Sequence, residues 1–219
     1  TVDQPRHRQN NKVFASRCRK LANALESLGA EFGDRIGTLA WNDFRHMELY
    51  YAVSGAGMVC HTINPKLFPE QVAYIINHAD DKILFVDVLV VPLLEALQEH
   101  IKKVDCIVVL TDKAHMPDSC VENLVCYEEL LEAQTDSYEW PLFDENTACG
   151  MCYTSGTTGN PKGVVYSHRS TVLHALAGAL PDVTGASNMQ TSLPVVPMFH
   201  VNAWGAPYAA LMVGTKLVL

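Results

Sequence analysis

The sequence predicts an α/β fold: partly parallel sheets with helices on both faces. Three observations carry that prediction. Short apolar runs alternate with segments whose apolar residues recur every three or four positions, the signature of βαβ units. The runs ILFV at 83–86 and CIVVL at 106–110 are apolar throughout, as strands buried on both faces require. And 48% of the 219 residues are hydrophobic against 18% charged, enough apolar material for a substantial core.

The elements follow in order. Phe14, Cys18, Leu21, Leu25 and Leu28 mark one face of a helix from Asn11, with Gly29 placed to end it. Arg35–Trp41 reads as a strand. Asn42 and Asp43 offer caps for a helix from Phe44 toward Gly55. Met58–Ile63 is a strand that Asn64-Pro65 breaks, and Pro69 opens a helix through Val72, Ile75, Ile76 and Ala79. Lys82–Val86 is a strand, Pro92–His100 a helix and Val104–Leu110 a strand. From Thr111 to Asn146 the pattern loosens, with a short helix over Tyr127–Glu132. Ala148–Tyr153 and Gly163–Tyr166 are again strands.

Composition excludes several classes. The net charge is −8, the wrong sign for a general nucleic-acid binder. The apolar content excludes a disordered chain. The low charge predicts a surface that something else normally covers. No apolar run reaches the roughly 18 residues of a membrane-spanning helix; peripheral membrane contact stays open. Seven scattered cysteines, an odd number, fit reduced thiols in a cytoplasmic protein better than a disulfide framework. The chain opens without Met and closes on a strand-like Thr-Lys-Leu-Val-Leu, which reads as part of a longer polypeptide.

Chemistry concentrates at YTSGTTGNPKG, residues 153–163. Thr154, Ser155, Thr157 and Thr158 supply hydroxyls, Gly156, Gly159 and Gly163 allow a tight turn, and Lys162 supplies a cation. Backbone amides freed by glycine, with hydroxyls and one ammonium, suit a phosphate. A polar hairpin is the plain alternative, but this loop follows an apolar strand of a parallel pattern, where ligands collect. It is not a Walker A loop: Lys162 stands three residues after Gly159, and a strand rather than a helix follows. No helix dipole helps such a loop, which should move until nucleotide arrives.

YTSGTTGNPKG followed by VVYSHR resembles the phosphate-binding signature of the adenylate-forming superfamily. LPVVPMFHVNAW, residues 193–204, resembles its next motif, and the text from Asn42 to Asp87 is similar to the medium- and long-chain fatty-acyl-CoA synthetase branch. The resemblance spans essentially residues 1–219 and implies a partial N-terminal AMP-binding domain, truncated at its C-terminal end. It also implies a chemistry. A fatty acid is activated by ATP with Mg²⁺ to acyl-AMP, which CoA converts to the thioester. Thr154 would assist Mg²⁺, Ser155, Thr157, Thr158 and the glycines (Gly156 and Gly159 among them) would hold phosphates, and Lys162 would neutralise charge as a catalytic residue. His200 would hydrogen-bond the carboxylate or adenylate, with Val201 beside it, and Trp204 would wall or gate the acid tunnel. A homodimer is also consistent with the resemblance.

Taken alone, His200 reads as an ordinary histidine, and Trp204, at helical spacing from it, as core packing. Cys149-Gly-Met-Cys152 lies inside a strand and lacks a second pair, so a zinc site is not expected. Asp80-Asp81 and Glu128-Glu129 read as solvated faces. The 219 residues contain no Tyr-Gly-x-Thr-Glu segment, and the family's ribose-binding aspartate, hinge and C-terminal domain with its catalytic lysine are not found either. The chain by itself is therefore expected not to turn over. An aryl-CoA synthetase and a non-catalytic nucleotide-binding protein are the alternatives.

Overall fold

The structure is a computed structural model that describes residues 7–101, 103–154 and 160–219. In chain order the elements are α1 (Asn11–Ser27), β1 (Arg35–Leu39), α2 (Phe44–Gly55), β2 (Val59–Thr62), α3 (Pro69–Ala79), β3 (Asp81–Val86), α4 (Val91–Leu97), β4 (Cys106–Val109), β5 (Leu124–Cys126), α5 (Tyr127–Glu132), β6 (Ala148–Thr154), β7 (Lys162–Ser167), α6 (His168–Gly178), β8 (Thr191–Ser192), α7 (Ala206–Val213) and β9 (Lys216–Leu217).

Local chemistry explains the starts. Asn10 caps α1 by accepting from the Val13 amide at 3.0 Å, and Asp43 caps α2 by accepting from His46 at 2.8 Å. Pro69 occupies the first turn of α3, where no backbone donor is needed. The helix expected over Pro92–His100 is shorter, Val91–Leu97, and a 3₁₀ turn at Val88–Val90 precedes it. The neighbouring strand likewise contracts to Cys106–Val109.

Seven strands form one sheet in the order β5-β4-β3-β1-β2-β6-β7. Every pair is parallel except β6–β7, which is antiparallel. One face carries α1, α2 and α5, packed through Leu21, Leu25, Leu49, Tyr50, Met58 and Tyr127. The other carries α3 and α4, packed through Val72, Ile76, Leu84, Leu94 and Val109. The expected α/β architecture, helices on both faces, is therefore present. A second, two-stranded parallel sheet pairs β8 with β9.

Exposed apolar surface gathers at the β7 edge, where Val165, Val172, Leu173 and Leu176 are all exposed. Among the described residues no helix is long and apolar enough to cross a membrane. All seven cysteines are free. Cys149 and Cys152 lie buried in β6, and no group of metal-ligating side chains forms among the described residues.

Two acidic pairs are corrected. Asp81 is buried, not solvated: its carboxylate accepts from His61 Nδ1 at 2.7 Å, and both side chains are inaccessible. Burial pushes the Asp81 carboxyl above its usual range, against the pull of His61. Glu128 is mostly covered and accepts from Arg17 at 2.9 Å and Arg45 at 2.7 Å, while its neighbour Glu129 stays exposed beside Lys113. Charges drawn inward by partners distant in sequence leave no local trace.

His46 on α2 has no solvent contact. Its Nδ1–H donates to the Trp41 carbonyl at 3.0 Å, and the Thr38 hydroxyl donates to Nε2 at 3.0 Å. Both bonds suit the neutral ring, and burial lowers its pKa from 6.5 to about 4. The sign follows directly. Between those two values the unfolded chain takes up a proton that the folded chain refuses, so stability falls as pH drops through that window. The full loss is about 3 kcal/mol at 1.36 kcal/mol per unit. Thermal unfolding of His46→Gln is expected to show a shallower fall from pH 6.5 to 4 than the parent, and equal slopes would contradict this.

Candidate functional site

The site lies beyond the carboxyl ends of β1, β2 and β6, where open parallel sheets take their ligands. β6 delivers Thr154 to this edge, and the antiparallel return of β7 begins with Lys162. The two are register partners, Thr154 opposite Lys162, so their side chains leave the same face of the ribbon roughly 5 Å apart at Cβ. Both are exposed. The structure thus brings a hydroxyl and an ammonium together at the mouth of the hydroxyl-rich loop. Ser155, Gly156, Thr157, Thr158 and Gly159, and the mobility expected of them, lie outside the described residues. β7 runs from Lys162 to Ser167 before α6 begins, so the helix start stands at the far end of that strand.

Tyr153, at the root of the loop, is held from the other face. Its hydroxyl pairs with His78 Nδ1 of α3 at 2.6 Å, and its ring lies 5.3 Å from that of His61. The 193–204 segment docks onto the end of β1 by side chains that sequence reasoning missed. Asn42 Nδ2 donates to the carbonyls of Pro194 (3.1 Å) and Val196 (3.0 Å), and Asn42 Oδ1 accepts from the Met198 amide at 2.6 Å. The Tyr50 hydroxyl donates to the Met198 carbonyl. Phe199 is buried edge-on against Trp41, with ring centroids 5.5 Å apart.

His200, Val201 and Trp204 follow, in a conformation that the spacing did not predict. Trp204 is neither helical in the usual hand nor core: its φ is +55° and it is 67% exposed. From Val201 to Gly205 every residue has a positive φ, between 47° and 72°. A left-handed turn costs L-residues about 1–2 kcal/mol each, and at β-branched Val201 it is a genuine outlier. Such strain persists only where the surroundings over-determine it. Here they do. Asn202 Oδ1 accepts from the Thr62 hydroxyl of β2 at 3.0 Å. Its amide nitrogen lies over Gly150 of β6, where a Cβ would stand 3.0 Å from it. His200 is exposed and next to this turn. The structure therefore pairs Thr154 with Lys162 across the β6–β7 ribbon, and it places Val201 and Trp204 in the left-handed turn with His200 just before it.

A family model described as AMP-binding enzyme matches residues 5–219. The chain belongs to the AMP-binding enzyme family. Among curated relatives, a medium-chain-fatty-acid–CoA ligase of Ectopseudomonas oleovorans is 55% identical over 208 residues, 95% of this chain and 38% of that protein. A 3-methylmercaptopropionyl-CoA ligase of Ruegeria lacuscaerulensis is 53% identical over 212 residues, 97% of this chain and 39% of that protein. The chain thus spans well under half the length of these relatives. The solved anthranilate CoA ligase AuaEII, in complex with anthranoyl-AMP, superposes with a TM-score of 0.81 at 21% identity, over 95% of this chain and 39% of that one. At that identity the likeness shows the fold alone.

Proposed function

We propose that this chain supplies the phosphate loop and part of the acid site of a fatty-acid:CoA ligase of the AMP-forming type. The observation that carries the reading is the Thr154–Lys162 pair, set across the β6–β7 ribbon at the ligand-binding edge of a parallel sheet. Two relatives at 53% and 55% identity, both CoA ligases by name, support it.

In this reading an acid carboxylate attacks the α-phosphorus of ATP and pyrophosphate leaves, giving acyl-AMP. The thiol of CoA then attacks the acyl carbon and AMP departs. What the protein contributes is positioning and charge stabilisation. Lys162 brings a point charge to the β- and γ-phosphates. Ser155, Thr157, Thr158, Gly156 and Gly159 surround them with hydroxyls and amides. The Thr154 hydroxyl is a hard oxygen donor of the kind Mg²⁺ accepts beside phosphate oxygens and water. His200 donates toward the carboxylate or adenylate, and Val201 and Trp204 border the acid.

A cytoplasmic location suits the seven free thiols, and we include in the proposal pairing of two copies and no more than peripheral membrane contact. We also propose that residues 1–219 form part of an N-terminal adenylation domain and do not turn over alone. The test is pyrophosphate release from ATP by the complete gene product against acids of graded length. Turnover is expected to peak with medium- or long-chain fatty acids and to be absent for the 219-residue chain. A peak at 3-methylmercaptopropionate or at an aryl acid would reassign the acid class, and no acid-dependent release would overturn the ligase reading.

A further inference from the structure

The left-handed turn is clamped at two points that belong to different elements. On one side Asn202 is bonded to Thr62 and seated over Gly150. On the other, His174 of α6 approaches the backbone directly after the exposed indole: its Nε2 lies 3.0 Å from the Trp204 carbonyl oxygen. A carbonyl only accepts, so this contact places a proton on Nε2. The next residue is Gly205, where a Cβ would stand 2.8 Å from His174 Cδ2. Side-chain-free backbone at Gly150 and Gly205 is thus what lets Asn202 and His174 close in. Ala203, between the two clamps, is buried, while the Trp204 side chain is left exposed. The clamps grip the backbone and leave the indole free.

We propose that His174 and Asn202 are positioning residues that hold residues 200–204 in the left-handed turn and so fix where His200 and the Trp204 indole stand at the acid site. The proposal rests on the functional reading above. Without the clamps the turn relaxes toward right-handed or extended backbone, which reverses the direction of the Trp204 side chain. The phosphate cluster at Thr154 and Lys162 belongs to the β6–β7 ribbon and keeps its geometry. The acid site is therefore affected and the nucleotide site is spared.

The test uses the complete gene product labelled with 5-fluorotryptophan, with the Trp204 ¹⁹F resonance assigned by its loss in Trp204→Phe. In His174→Ala and in Thr62→Val, which removes the hydroxyl at nearly constant shape, the Trp204 resonance is expected to shift or split. His174→Gln, which retains an N–H donor, is expected to restore it. The KM for the acid should rise roughly tenfold, the loss of one well-placed hydrogen bond, while the KM for ATP stays within about twofold. A resonance unmoved in both variants overturns the clamp. A moved resonance with acid and ATP KM values rising together reduces these side chains to general stability and overturns the positioning role. A moved resonance in a protein that activates no acid leaves the clamp standing and overturns the ligase reading instead.

Discussion

Replacing Thr154 and Lys162 together by alanine is expected to lower kcat/KM for ATP by about 10³-fold or more, measured as pyrophosphate release by the complete gene product. Loss of a single preorganised donor to developing charge typically costs 10²–10³-fold, and here a hydroxyl and a cation are removed at once. Because the two residues face each other across one ribbon, the proposed function has them serve one triphosphate, Lys162 directly and Thr154 through Mg²⁺. The double variant should therefore fall short of the product of the singles. Thr154→Ser keeps the oxygen and should recover most of its share. Lys162→Arg should recover less, since a planar fork does not replace a compact ammonium. Both side chains are exposed, so thermal stability should stay within about 0.5 kcal/mol of the parent. An unchanged kcat/KM for ATP would remove these residues from the phosphate site.

Why these two stand out in sequence as candidates, and other residues at this edge do not, has a physical basis. A phosphate loop needs glycine, hydroxyl and cation close together in the chain, so its signal is local and survives in the letters YTSGTTGNPKG. The parallel strands were legible for a similar reason, since burial on both faces forces apolar runs such as ILFV. α6 shows the opposite case. Only Ala175 of its eleven residues is buried, so it has no inward apolar stripe for periodicity to detect. The turn at Val201–Gly205 contradicts the propensities of its own residues and exists through tertiary bonds to Thr62 and His174. Asn42 and Asp43 both read in sequence as caps for α2; Asp43 is the cap, and Asn42 instead fixes the 194–198 segment. Asp81 looks solvated in sequence because its partner His61 is twenty residues away.

The buried Glu48 is the strongest instance of such long-range pairing, and it yields the second large effect. Its carboxylate has no solvent exposure and accepts from Arg17 Nε at 2.7 Å and from the Tyr127 hydroxyl at 2.7 Å. Arg17 also donates to Glu128 at 2.9 Å, and Arg45 donates to Glu128 at 2.7 Å, so helices α1, α2 and α5 are tied through one cluster. Burial opposes the charge on Arg17, yet its bonds to Glu48 and Glu128 hold the guanidinium above its usual range. Arg17→Met leaves Glu48 charged, dry and bonded to Tyr127 alone, which costs about 3–5 kcal/mol. At about 2–4 °C per kcal/mol for a domain of this size, Tm should fall by roughly 10 °C. Removing the whole buried set behaves differently. Arg17→Met, Glu48→Leu and Tyr127→Phe together leave no side chain of this cluster buried without a partner, and Glu128 keeps Arg45. Apolar replacements of buried ion pairs are often neutral, so the triple variant should recover most of the lost Tm. If instead it melts as low as Arg17→Met alone, the cluster stabilises the fold through its attraction, and desolvation of Glu48 is not the dominant cost.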